Sequence, residues 1–171
     1  MLKLKLMIMD LSWSDMSKYS EDLGVTSTYI DSFLNTECSN FLGVYSPDTL
    51  PQNLKSKGTL VCNLSNSNLI GSHFITIVVQ PQSITYIDSY GVPSENPLIN
   101  AFMQRLDRPI RYNSTMIQSL ASAFCGFFCI LFCLYFDKKR ATPLRFYADL
   151  AKNDMLCINL INTLRRNNKS Q

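Results

Sequence analysis

The sequence predicts an α+β protein in which a mixed, mostly antiparallel central sheet packs on helices, in one domain spanning residues 1–171. The length of 171 residues is typical of a single domain. Apolar residues make up 46% of the chain and charged residues 17%, which excludes a disordered chain and favours a large buried core. Helical patterns flank a run of strand-like segments joined by turns, an order that is typical of α+β folds.

The first elements predicted are two short helices, at residues 14–24 and 26–36. The second is capped by either Thr26 or Ser27, since both side chains can accept a hydrogen bond from the first helical turn. Residues 41–45 are expected to lead into a loop that is rich in proline and other helix and strand breakers.

The middle of the chain predicts a sheet. Its strand candidates are bounded by turn-forming residues, and most are rich in β-branched and apolar residues: residues 59–64, 73–80, 83–88 and 109–112. The turn at Pro81-Gln82-Ser83 is short, so the second and third of these strands are expected to be antiparallel neighbours. Before the last strand, Asn96 and Pro97 predict the cap and first position of a helix that runs through Asp107.

The last part of the chain predicts helices. Residues 120–136 are almost entirely apolar, but this run is shorter than the ~20 residues that a membrane-spanning helix needs. We therefore expect a buried helix that begins near Ala123–Cys125, with a membrane span as the alternative. Thr142-Pro143 predicts a further helix cap, and residues 154–166 predict a final amphipathic helix.

Composition restricts the chemistry, because His73 is the only histidine in the chain. Any mechanism that pairs serine or cysteine with histidine must use it. His73 begins one strand of the predicted hairpin and Asp88 ends the other, so antiparallel pairing is expected to bring their side chains within reach. A carboxylate on one ring nitrogen fixes the imidazole tautomer and stabilises the imidazolium. His73 is therefore the predicted general base and Asp88 its acidic partner.

Cys125 is the predicted nucleophile. It stands at the start of the apolar helix, where the helix dipole and unpaired backbone N–H groups favour the thiolate. Close to His73 it would form a thiolate–imidazolium pair. Gly126, the next residue, is interpreted as leaving room for a substrate backbone. Gln118 lies on the loop that enters the helix, and its amide N–H₂ is predicted to help the Cys125 N–H hold an oxyanion.

The other five cysteines are interpreted as buried small hydrophobic residues: Cys38, Cys62, Cys129, Cys133 and Cys157. A metal-binding stripe on the helix face of Cys125 is an alternative, but it lacks a suitable fourth ligand nearby in the sequence. The chain has no CxxC pair and no cleavable signal peptide, so we expect reduced thiols in an intracellular or intravirion compartment. No metal or other cofactor is required by these residues.

Several segments resemble the adenovirus endopeptidases, the adenains. Gln118–Cys129 (QSLASAFCGFFC) is similar to their nucleophile segment, and Gly71–Phe74 (GSHF) to their histidine element. Tyr86–Gly91 (YIDSYG) resembles the acidic element, and Phe41–Tyr45 (FLGVY) a further signature nearer the N-terminus. The resemblance extends from about residue 19 to about residue 150. The order of histidine, acid, glutamine and cysteine also matches the SUMO-specific proteases.

The resemblance implies a fold with the parts of papain in a different chain order. It also implies a monomeric cysteine endopeptidase that matures viral precursor proteins at small-residue, often glycine-containing sites, in the virion and the host cell nucleus. His73, Asp88, Gln118 and Cys125 are the positions that match the catalytic residues of the family. Adenains have glutamate as the acid, so aspartate here is closer to the SUMO-protease version.

Adenains have two activators, a peptide and DNA, and this sequence supports them less directly than it supports the catalytic residues. Their activating peptide is disulfide-linked to a cysteine between the acid and the glutamine, and the interval from Ser89 to Ile117 contains no cysteine, so that link is not expected. The resemblance also implies DNA as a cofactor. The net charge of +3 permits binding to a polyanion but does not require it, because nucleic-acid-binding proteins usually concentrate more basic residues.

Two other functions remain open from the sequence. One is a peptidase for SUMO or another ubiquitin-like modifier; these usually have tryptophan after the histidine, whereas here Phe74 follows His73 and the only tryptophan is Trp13. The other is a non-catalytic module that keeps the fold in order to bind protein or DNA. The complete set of histidine, acid, glutamine and cysteine favours an enzyme over the module.

Overall fold

The computed structural model describes residues 24–54, 56–137 and 145–168, with residues 160–168 described by their backbone only. The predicted helix at 14–24, except for its last residue, lies outside this part of the chain. So do Trp13 and the predicted cap at Thr142-Pro143.

Along the described residues one helix precedes four strands, and a second helix, a fifth strand and two further helices follow. The helices are α1 (Ser27–Glu37), α2 (Pro97–Arg105), α3 (Cys125–Asp137) and α4 (Leu150–Asn168). The strands are β1 (Phe41–Tyr45), β2 (Gly58–Asn63), β3 (Phe74–Val79), β4 (Ile84–Ile87) and β5 (Ile110–Tyr112). A 3₁₀-helix, Pro47–Thr49, follows β1. The helices and strands predicted within the described residues are all present.

The five strands form one mixed sheet in the order β1-β2-β3-β4-β5. The two central pairings, β2 with β3 and β3 with β4, are antiparallel, as the short turn after β3 predicts. Both outer pairings are parallel, because β1 joins β2 and β5 joins β4 in the same direction. The α+β class and the mixed sheet are therefore confirmed, whereas antiparallel pairing is limited to the centre of the sheet.

Strand β1 is the element that the sequence did not predict. We expected residues 41–45 to lead into a loop and assigned them to no helix or strand; they form an edge strand that precedes that loop. Gly43 lies in this strand with φ of +118°, and the register shifts between Phe41 and Val44. This irregularity breaks the two-residue alternation by which a strand is recognised in sequence.

The predicted caps explain where two helices begin. The Thr26 side chain accepts a hydrogen bond from the Tyr29 N–H (3.2 Å) at the start of α1. The Asn96 side chain accepts from the first N–H groups of α2, and Pro97 takes the first helical position. Helix α2 ends at Arg105, slightly earlier than predicted, and Asp107 beyond it has a left-handed backbone with φ of 49°.

Helices cover both faces of the sheet because side chains alternate along its central strands. In β2, Leu60 and Cys62 belong to a core beneath α2, whereas Val61 belongs to the core shared with α1, α3 and α4. Helix α3 packs directly on β2 and β3 and is bordered by α1 and α4. This central position confirms the predicted buried helix. Its first residue, Cys125, lies next to Phe74 at the start of β3.

Among the helices of the described residues, none is both long and apolar enough to cross a membrane. Helix α3 contains 13 residues, and its apolar side chains are used in packing on the sheet and the neighbouring helices.

Candidate active site

The β3–β4 hairpin positions the histidine and its carboxylate. The pairing of the two strands ends at Thr76 and Ile87, three residues after His73 and one before Asp88. The Nε2 atom of His73 lies 2.8 Å from Oδ1 of Asp88, and the two side chains are 14% and 5% exposed. The predicted proximity of these residues is therefore present in the structure.

Three further hydrogen bonds hold Asp88 in place. Its Oδ1 also accepts from the Tyr90 N–H at 2.8 Å. Its backbone is bonded on both sides to the Asn113 amide: the Asp88 N–H donates to Asn113 Oδ1 (2.8 Å), and Asn113 Nδ2 donates to the Asp88 carbonyl (2.6 Å). Asn113 follows β5, so the parallel pairing of β4 and β5 supports the carboxylate. The sequence contained no signal for this role of Asn113.

Tyr90 packs against the imidazole. Its ring stacks on that of His73, with centroids 4.8 Å apart and planes at 20°. This contact leaves the imidazole little freedom to rotate. Sequence reasoning did not identify Tyr90 as part of the site. Its position two residues after Asp88 was the available signal, because residues 88–91 form a turn in which the Gly91 N–H donates to the Asp88 carbonyl at 2.9 Å.

Cys125 is the first residue of α3 and is partly exposed. Burial alone would raise the pKa of its thiol, but a hydrogen bond with His73 and contacts with the backbone N–H groups of Phe74 and Gly126 reverse that effect. The pKa of Cys125 is lowered overall. Since Nε2 of His73 is bonded to Asp88, the other ring nitrogen, Nδ1, remains for the thiol.

The pKa of His73 moves in the complementary direction, from 6.5 to about 9. Burial lowers it, but the hydrogen bonds with Asp88 and Cys125 and the negative charges of both residues raise it further. A lowered thiol pKa beside a raised imidazole pKa favours proton transfer from sulfur to nitrogen. The arrangement is therefore suited to a thiolate–imidazolium pair.

Gln118 is fully buried next to these residues and is held at both ends of its amide. Its Oε1 accepts from the Ser89 hydroxyl at 2.6 Å. Its Nε2 donates to the Tyr90 hydroxyl at 3.2 Å and to the Ser122 carbonyl at 2.8 Å. Both amide protons are thus engaged. Gln118 is joined to the His73 side of the site through Tyr90.

The loop that carries Gln118 is also anchored to α4. The Ser119 N–H donates to Oδ1 of Asp154 at 3.4 Å. Burial raises the pKa of Asp154 to about 6, against hydrogen bonds from the Ser122 side chain and the Ser119 backbone that lower it. Asp154 had not been identified from the sequence, where it is one carboxylate of an amphipathic helix.

The remaining cysteines differ from Cys125 in burial. All five are buried, and burial raises the thiol pKa at four of them: Cys62, Cys129, Cys133 and Cys157. Their interpretation as buried hydrophobic residues is confirmed. Within the described ranges no cluster of histidine, cysteine, aspartate and glutamate is suited to hold a metal ion.

An open cleft of about 600 Å³ leads to the side chains of His73 and Cys125. His73 and Cys125 line it, together with the N-terminal end of α1 and the loop that precedes β3. Gly126 does not provide its space, contrary to the sequence interpretation. A Cβ atom on Gly126 would overlap the Val25 side chain and lie 3.0 Å from Ile30, so this glycine allows α1 to pack closely on α3.

No protein-family model and no curated protein sequence matches the chain.

Proposed function

We propose that this protein is a cysteine endopeptidase with Cys125 as nucleophile, His73 as general base and acid, and Asp88 as the residue that orients the imidazole. One observation carries the proposal. In an open cleft, the only histidine of the chain lies between a buried carboxylate and a cysteine whose thiol pKa is lowered. Structural histidines and buried cysteines rarely combine these features.

The reaction follows from the positions of these groups. The Cys125 thiolate attacks the carbonyl carbon of a peptide bond, and the carbonyl oxygen becomes an oxyanion. As the C–N bond breaks, His73 gives its proton to the leaving amine, and a thioester to Cys125 remains. The neutral imidazole then takes a proton from water, whose oxygen attacks the thioester and releases the acid. Asp88 keeps Nε2 of His73 hydrogen-bonded throughout, so that Nδ1 faces the sulfur.

The negative charge of the oxyanion must be stabilised by hydrogen-bond donors. The backbone N–H of Cys125, at the N-terminus of α3, is one, and the amide of Gln118 is the other. In the structure both protons of that amide are bonded, to the Tyr90 hydroxyl and the Ser122 carbonyl. One must therefore leave its acceptor when substrate binds, and the longer bond to Tyr90 is the weaker of the two. A single oxyanion donor commonly contributes about 3 kcal/mol to the transition state.

The substrate class is proposed from the resemblance to adenains: viral precursor proteins cleaved at sites with small residues, including glycine. Processing of such precursors in the virion and nucleus, stimulation by DNA, and a monomeric enzyme remain predictions from the same source.

The decisive experiment is covalent labelling with a short peptide vinyl sulfone that ends in Gly-Gly, followed by mass spectrometry to locate the modified cysteine. We expect selective labelling of Cys125, lost in His73→Ala. Cys129→Ala is the matched control, because Cys129 lies one turn further along α3 and is buried. Labelling of several cysteines at similar rates, or labelling of Cys125 that does not depend on His73, would refute the proposal.

A further inference from the structure

A polar side chain that the proposed mechanism does not use lies in the wall of the same cleft. Asn63 ends β2, and its register partner is Phe74, the residue after His73. It is only 5% exposed and lines the cleft with His73 and Cys125. An amide in this position bonds within the protein, to water in the cleft or to a bound molecule.

The orientation of this amide follows from its neighbours. Its Oδ1 accepts from the Ser65 N–H at 2.8 Å and from the Ser72 N–H at 3.3 Å. Two backbone donors on one side identify that atom as oxygen and leave Nδ2 on the other side. Within the described residues, Nδ2 has no hydrogen-bond acceptor. One end of the amide therefore organises the loop from Ser65 to Ser72, and the other end is an unused donor.

Gly71 lies directly beside the unused donor. A Cβ atom at position 71 would be 2.7 Å from Nδ2 of Asn63, closer than side-chain atoms pack. A glycine here leaves the amide uncovered, and glycine also permits another backbone to approach closely. Gly71 lines the cleft as well, so the donor and the space next to it belong to the same wall.

We infer that Asn63 is a substrate-binding residue, whose Nδ2 donates a hydrogen bond to a main-chain carbonyl oxygen of the peptide lying in the cleft. The inference rests on the proposed endopeptidase function. Nδ2 can only donate, and main-chain carbonyls are the acceptors that every peptide presents at regular intervals, whatever its sequence. Asn63 thus aligns the peptide along the cleft and contributes to binding, without taking part in the covalent steps.

The substitution Asn63→Asp tests this assignment with little change in shape. An aspartate keeps Oδ1 as acceptor for Ser65 and Ser72, so the loop retains its hydrogen bonds, but it replaces the donor by an acceptor. We expect the second-order rate of Cys125 labelling by the Gly-Gly vinyl sulfone to fall by about 10- to 100-fold. The rate of alkylation by iodoacetamide, which has no peptide chain to align, is expected to stay within about twofold.

Two controls separate recognition from charge and from folding. Asn66→Asp adds the same charge to the same loop at an exposed position and is expected to leave both rates unchanged. Thermal unfolding of Asn63→Asp establishes that the loop and strand remain folded. A vinyl sulfone in which the carbonyl of the penultimate glycine is replaced by a thiocarbonyl, a weaker acceptor, should lose rate with the wild-type protein but not with Asn63→Asp.

The outcomes are distinct. Wild-type rates for Asn63→Asp with both reagents would overturn the inference and leave the proposed function intact. An equal fall with both reagents would also overturn it, since the new charge would then be acting on Cys125 and His73. Failure of the wild-type protein to show His73-dependent labelling would overturn the proposed function, and the inference with it.

Discussion

Replacement of Asp88 by asparagine should lower the pKa of His73 by a measurable amount. The pKa of His73 is raised from 6.5 to about 9 even though burial lowers it. At 1.36 kcal/mol per pH unit, the imidazolium is favoured by about 3 kcal/mol beyond its burial cost. The hydrogen bond with Asp88 (2.8 Å) is the first of the interactions that raise this pKa. Asparagine preserves shape and the acceptor for the Tyr90 N–H, but removes the charge, so we expect a fall of about 1 to 3 pH units.

A single histidine makes this prediction directly measurable. In protein without a histidine tag, the imidazole resonances followed by NMR between pH 5 and 10 belong to His73 alone. The wild-type midpoint is expected near pH 9. The matched control is Asp149→Asn, which removes an exposed carboxylate that is paired with Lys152 and should leave the midpoint unchanged. A midpoint for Asp88→Asn within about 0.3 pH units of wild type would refute the reasoning, because the carboxylate could not then be the main support of the imidazolium.

The raised pKa of His73 also makes folding stability depend on pH. A pKa raised on folding means that protonated His73 contributes stability fully below pH 6.5, and that this contribution is lost as pH rises through about 9. The free energy of unfolding of the wild-type protein should therefore fall across this interval. The fall should be smaller in Asp88→Asn, and urea unfolding at pH 6 and pH 9.5 measures the difference.

Three further predictions concern single substitutions. Cys125→Ala should abolish labelling by the vinyl sulfone and change the melting temperature by less than about 3 °C, because it removes a partly exposed sulfur with little packing; a large loss of stability would contradict this. Gly126→Ala should lower the free energy of unfolding by about 1 to 3 kcal/mol in urea titrations, since the added methyl group overlaps Val25; an unchanged midpoint would show that α1 can move aside. Asp154 stabilises the fold most when protonated, below its ordinary pKa of 3.8, and this stabilisation is lost as pH rises through about 6. Asp154→Asn should therefore lose less stability than wild type between pH 4 and pH 6.5, a range below the titration of His73, and a pH dependence equal to that of wild type would refute it.

Contacts between residues that are close in the chain could be predicted from the sequence. The residues that support the site through non-local contacts could not. His73 and Asp88 are joined by a short turn, so their proximity follows from hairpin geometry alone. Asn113 supports the backbone of Asp88 only because β5 returns parallel to β4 after α2, a non-local pairing without a sequence signal. Asn63 looks like a polar strand end in the sequence, and only the folded loop shows that one end of its amide is satisfied and the other is not.

One supporting residue acts on the site from a distant part of the chain, which separate sequence motifs cannot indicate. The Asp154 carboxylate anchors the loop of Gln118 from a helix far along the chain. Strand β1 was also missed because it depends on a non-local contact. Its own side-chain alternation is interrupted at Gly43, and it is stabilised as an edge strand by pairing with β2.

Tyr90 connects the two halves of the proposed mechanism, and the substitution Tyr90→Phe can separate them. Its ring stacks on His73, its N–H holds Asp88, and its hydroxyl accepts one of the two amide protons of Gln118. Phenylalanine keeps the ring and the backbone, so the NMR midpoint of His73 should stay near that of wild type. It also releases the proton that Gln118 must redirect to an oxyanion, while the shorter bond to the Ser122 carbonyl remains. A Gly-Gly peptide aldehyde, which forms a tetrahedral adduct with a thiolate, should therefore bind as tightly as to wild type or up to about tenfold more tightly. Weaker binding with an unchanged His73 midpoint would contradict this account, because the hydroxyl would then position Gln118 for the oxyanion instead of competing for its proton.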